Sequence, residues 1–349
     1  MIAAANKIMR HFVHGCRNRF SSSAVILLYH RVIELPSDPY LLTVSPSHFA
    51  QHLAVLQKET RPTSLRQLTV GLRNGNVPRR AVVITFDDGY FDNLVYAKPL
   101  LEQYDTPATV FVTAGFLSDA REFWWDTLER ILLGTERLPE TLSLAIGGTP
   151  HEWQLGSAAA YGPEDQERYA SWNYGWKDAP TPRHALFRSV HQSLKPLNED
   201  TRRNVLQDLA VWACADAGVR PSHRMLSADE TVSLAAGGLV EIGAHTMTHP
   251  VLSALPVSNQ RDEIRQSKTH LEYLLGHRVT SFAYPHGLGA DYTQETITTV
   301  RESGFECACA AWPGTIGSGA DVHQLPRFLV RDQDGEAFAE EISRYYFQD

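Results

Sequence analysis

Two hydrophobic periods alternate along the chain. Ala24–Tyr29 (AVILLY), Ala81–Phe86 (AVVITF) and Ala108–Ala114 (ATVFVTA) are nearly unbroken apolar or β-branched runs, the mark of buried strands. Val240 to Ala244, Val279–Pro285, Cys307–Trp312 and Gln324–Val330 repeat that pattern in the C-terminal third. Between them lie segments of helical period. Ser45–Lys58 carries Phe49, Leu53 and Leu56 on one face, and Ser64–Asn74 carries Leu65, Leu68 and Leu72, with Ser47 and Ser64 as candidate caps. Asn93–Tyr104 is another helix. Asn259–Leu275, with Ile264, Leu271 and Leu275 inward, stops at Gly276, and Asp291–Ser303 closes at Gly304. Strand–helix–strand alternation predicts an α/β fold with a parallel sheet and helices outside it.

From Phe116 to about Gly238 the alternation lapses, over a span too long for a plain connection in a packed domain. We expect an insertion over 118–238 that interrupts one domain made of 21–117 and 239–349, with an N-terminal segment at 1–20. Within it, Leu142–Gly156 reads as a hairpin turning at Gly147 and Gly148, and Arg183–Leu194 and Glu199–Gly218 read as helices. Ser227 and Glu230 form a capping box opening the helix that leads back to the sheet.

Composition narrows the classes. The 349 residues are 43% hydrophobic, enough for one large domain with an insertion, and a net charge of −8 argues against an electrostatic nucleic-acid binder. Cys16, Cys214, Cys307 and Cys309 are scattered, without a metal-binding pair or a disulfide framework, and read as reduced thiols. No run approaches a membrane span or a signal-peptide core, so the expected location is the cytoplasm. Lys7, Arg10, Arg17 and Arg19 interleave with Ile2, Ile8, Met9, Phe12 and Val13. That segment is either an ordinarily packed terminal helix or one lying on the inner membrane surface as a peripheral contact.

The chemistry gathers at strand ends. Asp87, Asp88 and Gly89 follow the strand Ala81–Phe86, at the edge where α/β folds collect ligands, although Asp-Asp-Gly alone is ordinary turn chemistry. His245 and His249 follow a second strand. If the chain turns helically there, the i, i+4 spacing puts both imidazoles on one face. Asp88, His245 and His249 then make a two-His, one-carboxylate metal site with room for water, which leaves Asp87 beside it. Arg327 lies inside an apolar strand, and an unpaired guanidinium is costly to bury. We expect it to pair with Asp87.

These residues resemble the polysaccharide deacetylases that share the NodB homology domain (carbohydrate esterase family 4). The family's first motif stands here as Thr85, Phe86, Asp87, Asp88 and Gly89, and its second as His245, Thr246, Met247, Thr248 and His249. The resemblance implies a distorted (β/α) barrel of about seven strands. It implies Asp87 as general base, and a divalent metal, usually zinc, on Asp88, His245 and His249. The third motif looks degraded to Phe282, Ala283, Tyr284, Pro285, His286 and Gly287. Its arginine is missing, a loss that Arg327 would make good by orienting Asp87. Tyr284 and His286 fall on the substrate side, His286 where a backbone N–H would help bind the oxyanion. Tyr29, His30, Arg31 and Val32 resemble the permuted branch that deacetylates bacterial exopolysaccharide, which makes His30 the general acid, with His323 as competitor.

The implied reaction is metal-dependent hydrolysis of N-acetyl groups on amino sugars of a bacterial polysaccharide or its lipid-linked precursor. Removal of a formyl group would use the same site. An inactive saccharide-binding module is a third reading, against which the complete Asp, Asp, His, His set speaks. The insertion holds Trp124, Trp125, Trp153, Trp172, Trp176 and Trp212. Flat rings stack on sugar faces and also build cores. Trp212 reads as core, while Trp124 and Trp125, like Trp172, Tyr174 and Trp176, read as core or as a lid over the cleft.

Overall fold

The computed structural model describes residues 23–118, 121–216 and 218–347. Cys16 and the N-terminal segment with its membrane-surface reading lie outside them.

In chain order, the elements before the insertion are β1 (Ala24–Tyr29), α1 (Pro46–Glu59), α2 (Leu65–Arg73), β2 (Ala81–Phe86), α3 (Lys98–Gln103) and β3 (Ala108–Val112). The insertion contributes α4 (Trp124–Leu132), the hairpin β4 (Thr141–Ile146) and β5 (Thr149–Gln154), α5 (Pro182–Leu194) and α6 (Glu199–Ala213). The chain returns through α7 (Ala228–Ala235), β6 (Val240–Ala244), α8 (Val257–Leu275), β7 (Ser281–Ala283), α9 (Gln294–Glu302), β8 (Cys307–Cys309), β9 (Phe328–Leu329) and α10 (Gly335–Phe347).

Seven strands follow the order β8–β7–β6–β3–β2–β1–β9, every neighbour parallel, as an incomplete barrel. Leu325, just before β9, bridges to Cys309 of β8, so one segment runs from one open edge to the other. The last two strands are shorter than their apolar runs because this segment crosses between edges instead of following either one.

Strands β1, β2, β3, β7 and β8 are buried along their whole length, hence on both faces. One alternate set (Ala24, Ile26, Val83, Phe111, Cys307, Cys309) packs with Leu65, Leu68 and Leu72 of α2, and the other (Val25, Leu27, Val82, Ile84) with Phe49, Leu53 and Leu56 of α1. Gly243 makes room for Phe111: a Cβ there would lie 2.4 Å from the ring. Ser45, not Ser47, caps α1, accepting from the His48 N–H with Pro46 in the first turn. Ser64 and Ser227 both form capping boxes.

The insertion has a core of its own. Leu142, Leu144 and Ile146 face inward along β4, against helices that supply Leu128, Phe187, Val190 and Leu209. Tyr90 and Phe116 join that core to the barrel. Among the described residues, Cys214, Cys307 and Cys309 are free thiols, and no helix is long and apolar enough to cross a membrane.

Candidate active site

Strand register levels the tips that carry the candidate residues. Tyr29 pairs with Phe86, and the Asp87 N–H donates to the Tyr29 carbonyl at 3.0 Å, which sets His30 beside Asp87. Val112 pairs with Ala244, and the His245 N–H donates to the Val112 carbonyl at 3.0 Å. Asp88 (φ 77°), Thr246 (67°), His249 (55°) and His286 (60°) all take left-handed backbone conformations at this edge. Such strain in non-glycine residues gathers where side-chain direction matters more than local comfort.

Asp87 and Arg327 form a buried, two-pronged ion pair, Nη1 to Oδ1 and Nη2 to Oδ2 each at 2.7 Å. Arg327 also donates from Nε to the Ala310 carbonyl (2.7 Å) and from Nη1 to Thr85 Oγ1 (3.1 Å). Burial alone would raise the Asp87 carboxyl. The guanidinium and the neighbouring His245 outweigh it and hold the group below its ordinary value. Asp87 is therefore an ionised carboxylate, only 4% exposed.

Asp88, His245 and His249 bring one donor atom each within 4.8 Å of one another. Asp88 Oδ1 lies 3.5 Å from His245 Nε2 and 3.3 Å from His249 Nε2, and it is buried without a hydrogen-bond partner. The His245 Nδ1–H donates to the Ala283 carbonyl (2.8 Å), which leaves Nε2 as a free lone pair directed at the aspartates. Ligands about 2.0–2.1 Å from a tetrahedral zinc ion stand roughly 3.4 Å apart, so this donor set fits one.

The chain after His245 is a loop, not the helical turn expected. Both imidazoles reach Asp88 because Thr246 and His249 bend the backbone. Thr246 Oγ1 accepts from the His249 N–H (3.0 Å). Glu263 on α8 accepts from the N–H groups of Met247 (2.8 Å) and Thr248 (2.9 Å) and from Thr248 Oγ1 (2.6 Å). Arg202, from α6, donates to the Thr248 carbonyl at 3.1 Å. Neither Glu263 nor Arg202 stands out in the sequence, because both act mainly through backbone groups of the loop.

A cavity of about 430 Å³ opens on this edge, and His30, Asp87, Asp88, His245, His249 and His286 share its wall. His30 is half-buried, with its Nδ1 enclosed and unpartnered, and desolvation lowers its pKa against the pull of Asp88 and Asp87. His323 points elsewhere, its Nε2 against the Phe305 carbonyl at 3.1 Å.

Three substrate-side expectations change. Tyr284 does not reach the cavity: its ring stacks on Tyr292 (4.2 Å) and its hydroxyl donates to the His323 carbonyl (2.9 Å) in the core. Trp124 is buried away from the cavity, 4.8 Å from His191 and under the Arg202 guanidinium. Trp125 lines the cavity, but its ring is edge-on to His249 (5.0 Å) and its N–H donates to Tyr90 Oη (2.9 Å). Consecutive residues at the start of α4 point to different sides, so the pair cannot form one flat platform. Trp172 is core, Trp176 is exposed, and Tyr174 lines the cavity. Tyr40, His191, Lys195 and Arg331 also line it and were not anticipated. His191 and Lys195, four apart on one helix, were the readable signal.

The polysaccharide deacetylase family model matches residues 74–134 and 215–308, which contain Asp87, Asp88, His245 and His249. The poly-beta-1,6-N-acetyl-D-glucosamine N-deacetylase of Escherichia coli is 31% identical over 86 residues, 24% of this chain and 13% of that one. The chain matches 41% and 13% of the length of the first curated relatives. Among solved structures, the Streptococcus pyogenes deacetylase PplD in complex with acetate superposes with a TM-score of 0.56 at 17% identity, over 92% of this chain and 99% of that one. IcaB from Ammonifex degensii gives 0.55 at 19%, over 94% and 98%. At such identities these two speak for the fold.

Proposed function

We propose that this chain, whose residues 74–134 and 215–308 match the polysaccharide deacetylase family model, is a metal-dependent hydrolase that removes N-acetyl groups from amino sugars of a bacterial polysaccharide or its lipid-linked precursor. The observation that carries this reading is an ionised Asp87, fixed by Arg327, in the same cavity as the Asp88–His245–His249 donor set.

A divalent cation, zinc by the donor set, would sit on Asp88, His245 and His249 and supply Lewis-acid polarisation of the amide carbonyl and acidification of water. Asp87 accepts the proton of the attacking water. With both its oxygens bonded to Arg327, it keeps its charge and its orientation while the substrate is absent. The backbone N–H of His286 is our candidate donor to the carbonyl oxygen as negative charge builds there. His30, across the same cavity, delivers a proton to the departing nitrogen. The C–N bond breaks, a C–O bond forms, and acetate and a free amino sugar leave. The proton taken by Asp87 and the one given by His30 balance through water over the cycle.

Acid and amine release from N-acetylated and N-formylated amino sugars tests this, with Asp87→Asn and His249→Ala beside the metal-loaded wild type. Acetate formed by the wild type and reduced at least about 100-fold in both variants supports the reading. Formate in place of acetate would change the acyl group. Silence on every substrate despite metal binding would refute the hydrolase.

A further inference from the structure

The wall of the cavity away from the metal donors is built by parts of the chain that no catalytic step uses. Arg331, just after β9, donates to the backbone carbonyls of Tyr40 and Leu41. The Tyr40 ring lies 5.2 Å from His191, which stands one turn before Lys195 at the end of α5. Lys195 in turn is near enough to His286 and His191 for its charge to depress both imidazoles, adding to the larger effect of burial. A continuous arc thus runs from Arg331 through Tyr40 and His191 to Lys195, all four lining the cavity.

Besides Asp87 and Asp88, this lining has only two residues of permanent charge, and both are cations, Lys195 and Arg331, in a chain of net charge −8. The carboxylates that act on them, Asp291 and Asp38, lie outside the lining. Asp291 stands 3.4 Å from Lys195 Nζ but also accepts from the Leu288 N–H. Asp38, whose charge reaches Arg331, accepts from the N–H groups of Leu42 and Thr43 and from the Thr43 hydroxyl. Between the two cations, Tyr40 Oη and His191 Nδ1 are buried without partners. His191 has its pKa lowered to about 3, so it is a neutral hydrogen-bonding group and adds no charge of its own. Neutral sugars need hydroxyl-binding groups but not two cations in one pocket, whereas oxyanions are bound by this combination of charge and hydrogen-bond donors.

We infer that the amino sugar carries an oxyanion, a phosphate ester or a carboxylate, and that Lys195 and Arg331 bind it while Asp87 and the metal donors face the N-acyl group. This rests on reading the site as an amino-sugar deacylase. Tyr40 Oη and His191 Nδ1 complete the subsite by hydrogen bonding.

The test uses the full metal-loaded chain, with Lys195→Met, Arg331→Gln and the double variant, after melting curves show that they fold. Acetate release is compared for N-acetylglucosamine 1-phosphate, N-acetylglucosaminuronic acid and neutral chitobiose, and binding of the sugar phosphate is followed by calorimetry. Wild-type kcat/KM should favour one of the anionic sugars by about tenfold or more, and which one identifies the oxyanion. The double variant should lose that preference through KM and keep its rate on chitobiose. Equal turnover of neutral and anionic sugars, unchanged in the variants, would overturn the anion site and leave the deacylase reading intact. No acetate from any sugar, with phosphate-sugar binding that vanishes in the double variant, would refute the deacylase and sustain the anion site. Absence of both turnover and binding would overturn both.

Discussion

Replacing Arg327 with methionine removes one partner of a fully buried ion pair and leaves Asp87 with no cation bonded to it. Three of the guanidinium's four hydrogen bonds go to Thr85 and Asp87 on the β2 side, and the fourth goes to Ala310 beside β8. The arginine therefore ties both sides of the barrel mouth together. Breaking a buried pair by deleting one partner costs about 3–5 kcal/mol, most of it from the charge left behind. The pH dependence follows from the direction of the shift. The native Asp87 carboxyl lies below its ordinary value. Its contribution is present above the unfolded-state value and is lost as pH falls through the folded one. Without Arg327 burial acts against less opposition, so the carboxyl rises and Asp87 takes up a proton at higher pH. Urea denaturation should show Arg327→Met destabilised by about 3–5 kcal/mol at neutral pH, with less loss in Arg327→Met combined with Asp87→Asn, where no unpaired charge remains. The acidic limb of the pH–rate profile should move up in Arg327→Met and much less in Arg327→Lys, which keeps the charge and loses the fork. Wild-type stability and an unmoved acidic limb in Arg327→Met would refute the argument.

Glu263 holds the loop between the two histidines without touching Asp88, so Glu263→Ala should weaken zinc binding by roughly 10- to 100-fold, read by competition with a chromophoric chelator. Retained affinity would show that Thr246 and Arg202 hold the loop unaided. Asp126, buried under Tyr90 in the core of the insertion, has its pKa raised by burial to about 8. Its protonated form contributes stability at low pH that is lost as pH rises through about 8. Thermal melts of the wild type should therefore fall between pH 6 and pH 9 by more than those of Asp126→Asn, and parallel curves would place the loss elsewhere.

Legibility followed the strands. Asp87, Asp88 and His245 each come directly after an apolar run, and parallel register makes such residues neighbours whatever the intervening loops do. Arg327 is readable for a different reason: a guanidinium within LPRFLV must find a carboxylate, and the arginine missing from the third motif points to Asp87 as its partner. The i, i+4 reading of His245 and His249 brought together the right side chains through the wrong backbone. A loop with left-handed residues at Thr246 and His249 also converges two imidazoles, and spacing alone cannot tell the two apart. Helix α10 carries Phe338, Ile342 and Tyr345 at helical spacing, a signal independent of the strand pattern that marks the site.

The cavity's second wall was hidden for a topological reason. Tyr40 sits in a connection, His191 and Lys195 on an inserted helix, and Arg331 beyond the last strand. No register relates these positions, and they meet only when the insertion folds on its own core and is seated through Tyr90 and Phe116. Trp124 and Trp125, which the sequence leaves open between core and lid, belong to that seating. Trp125 packs on His249, and Trp124 lies under the arginine that donates to the Thr248 carbonyl. The insertion therefore touches the loop between His245 and His249 from behind with its tryptophans and Arg202, and faces the cavity with His191 and Lys195. Substitutions on its two sides should separate accordingly: those at Arg202 should register in metal affinity, and those at Lys195 in KM.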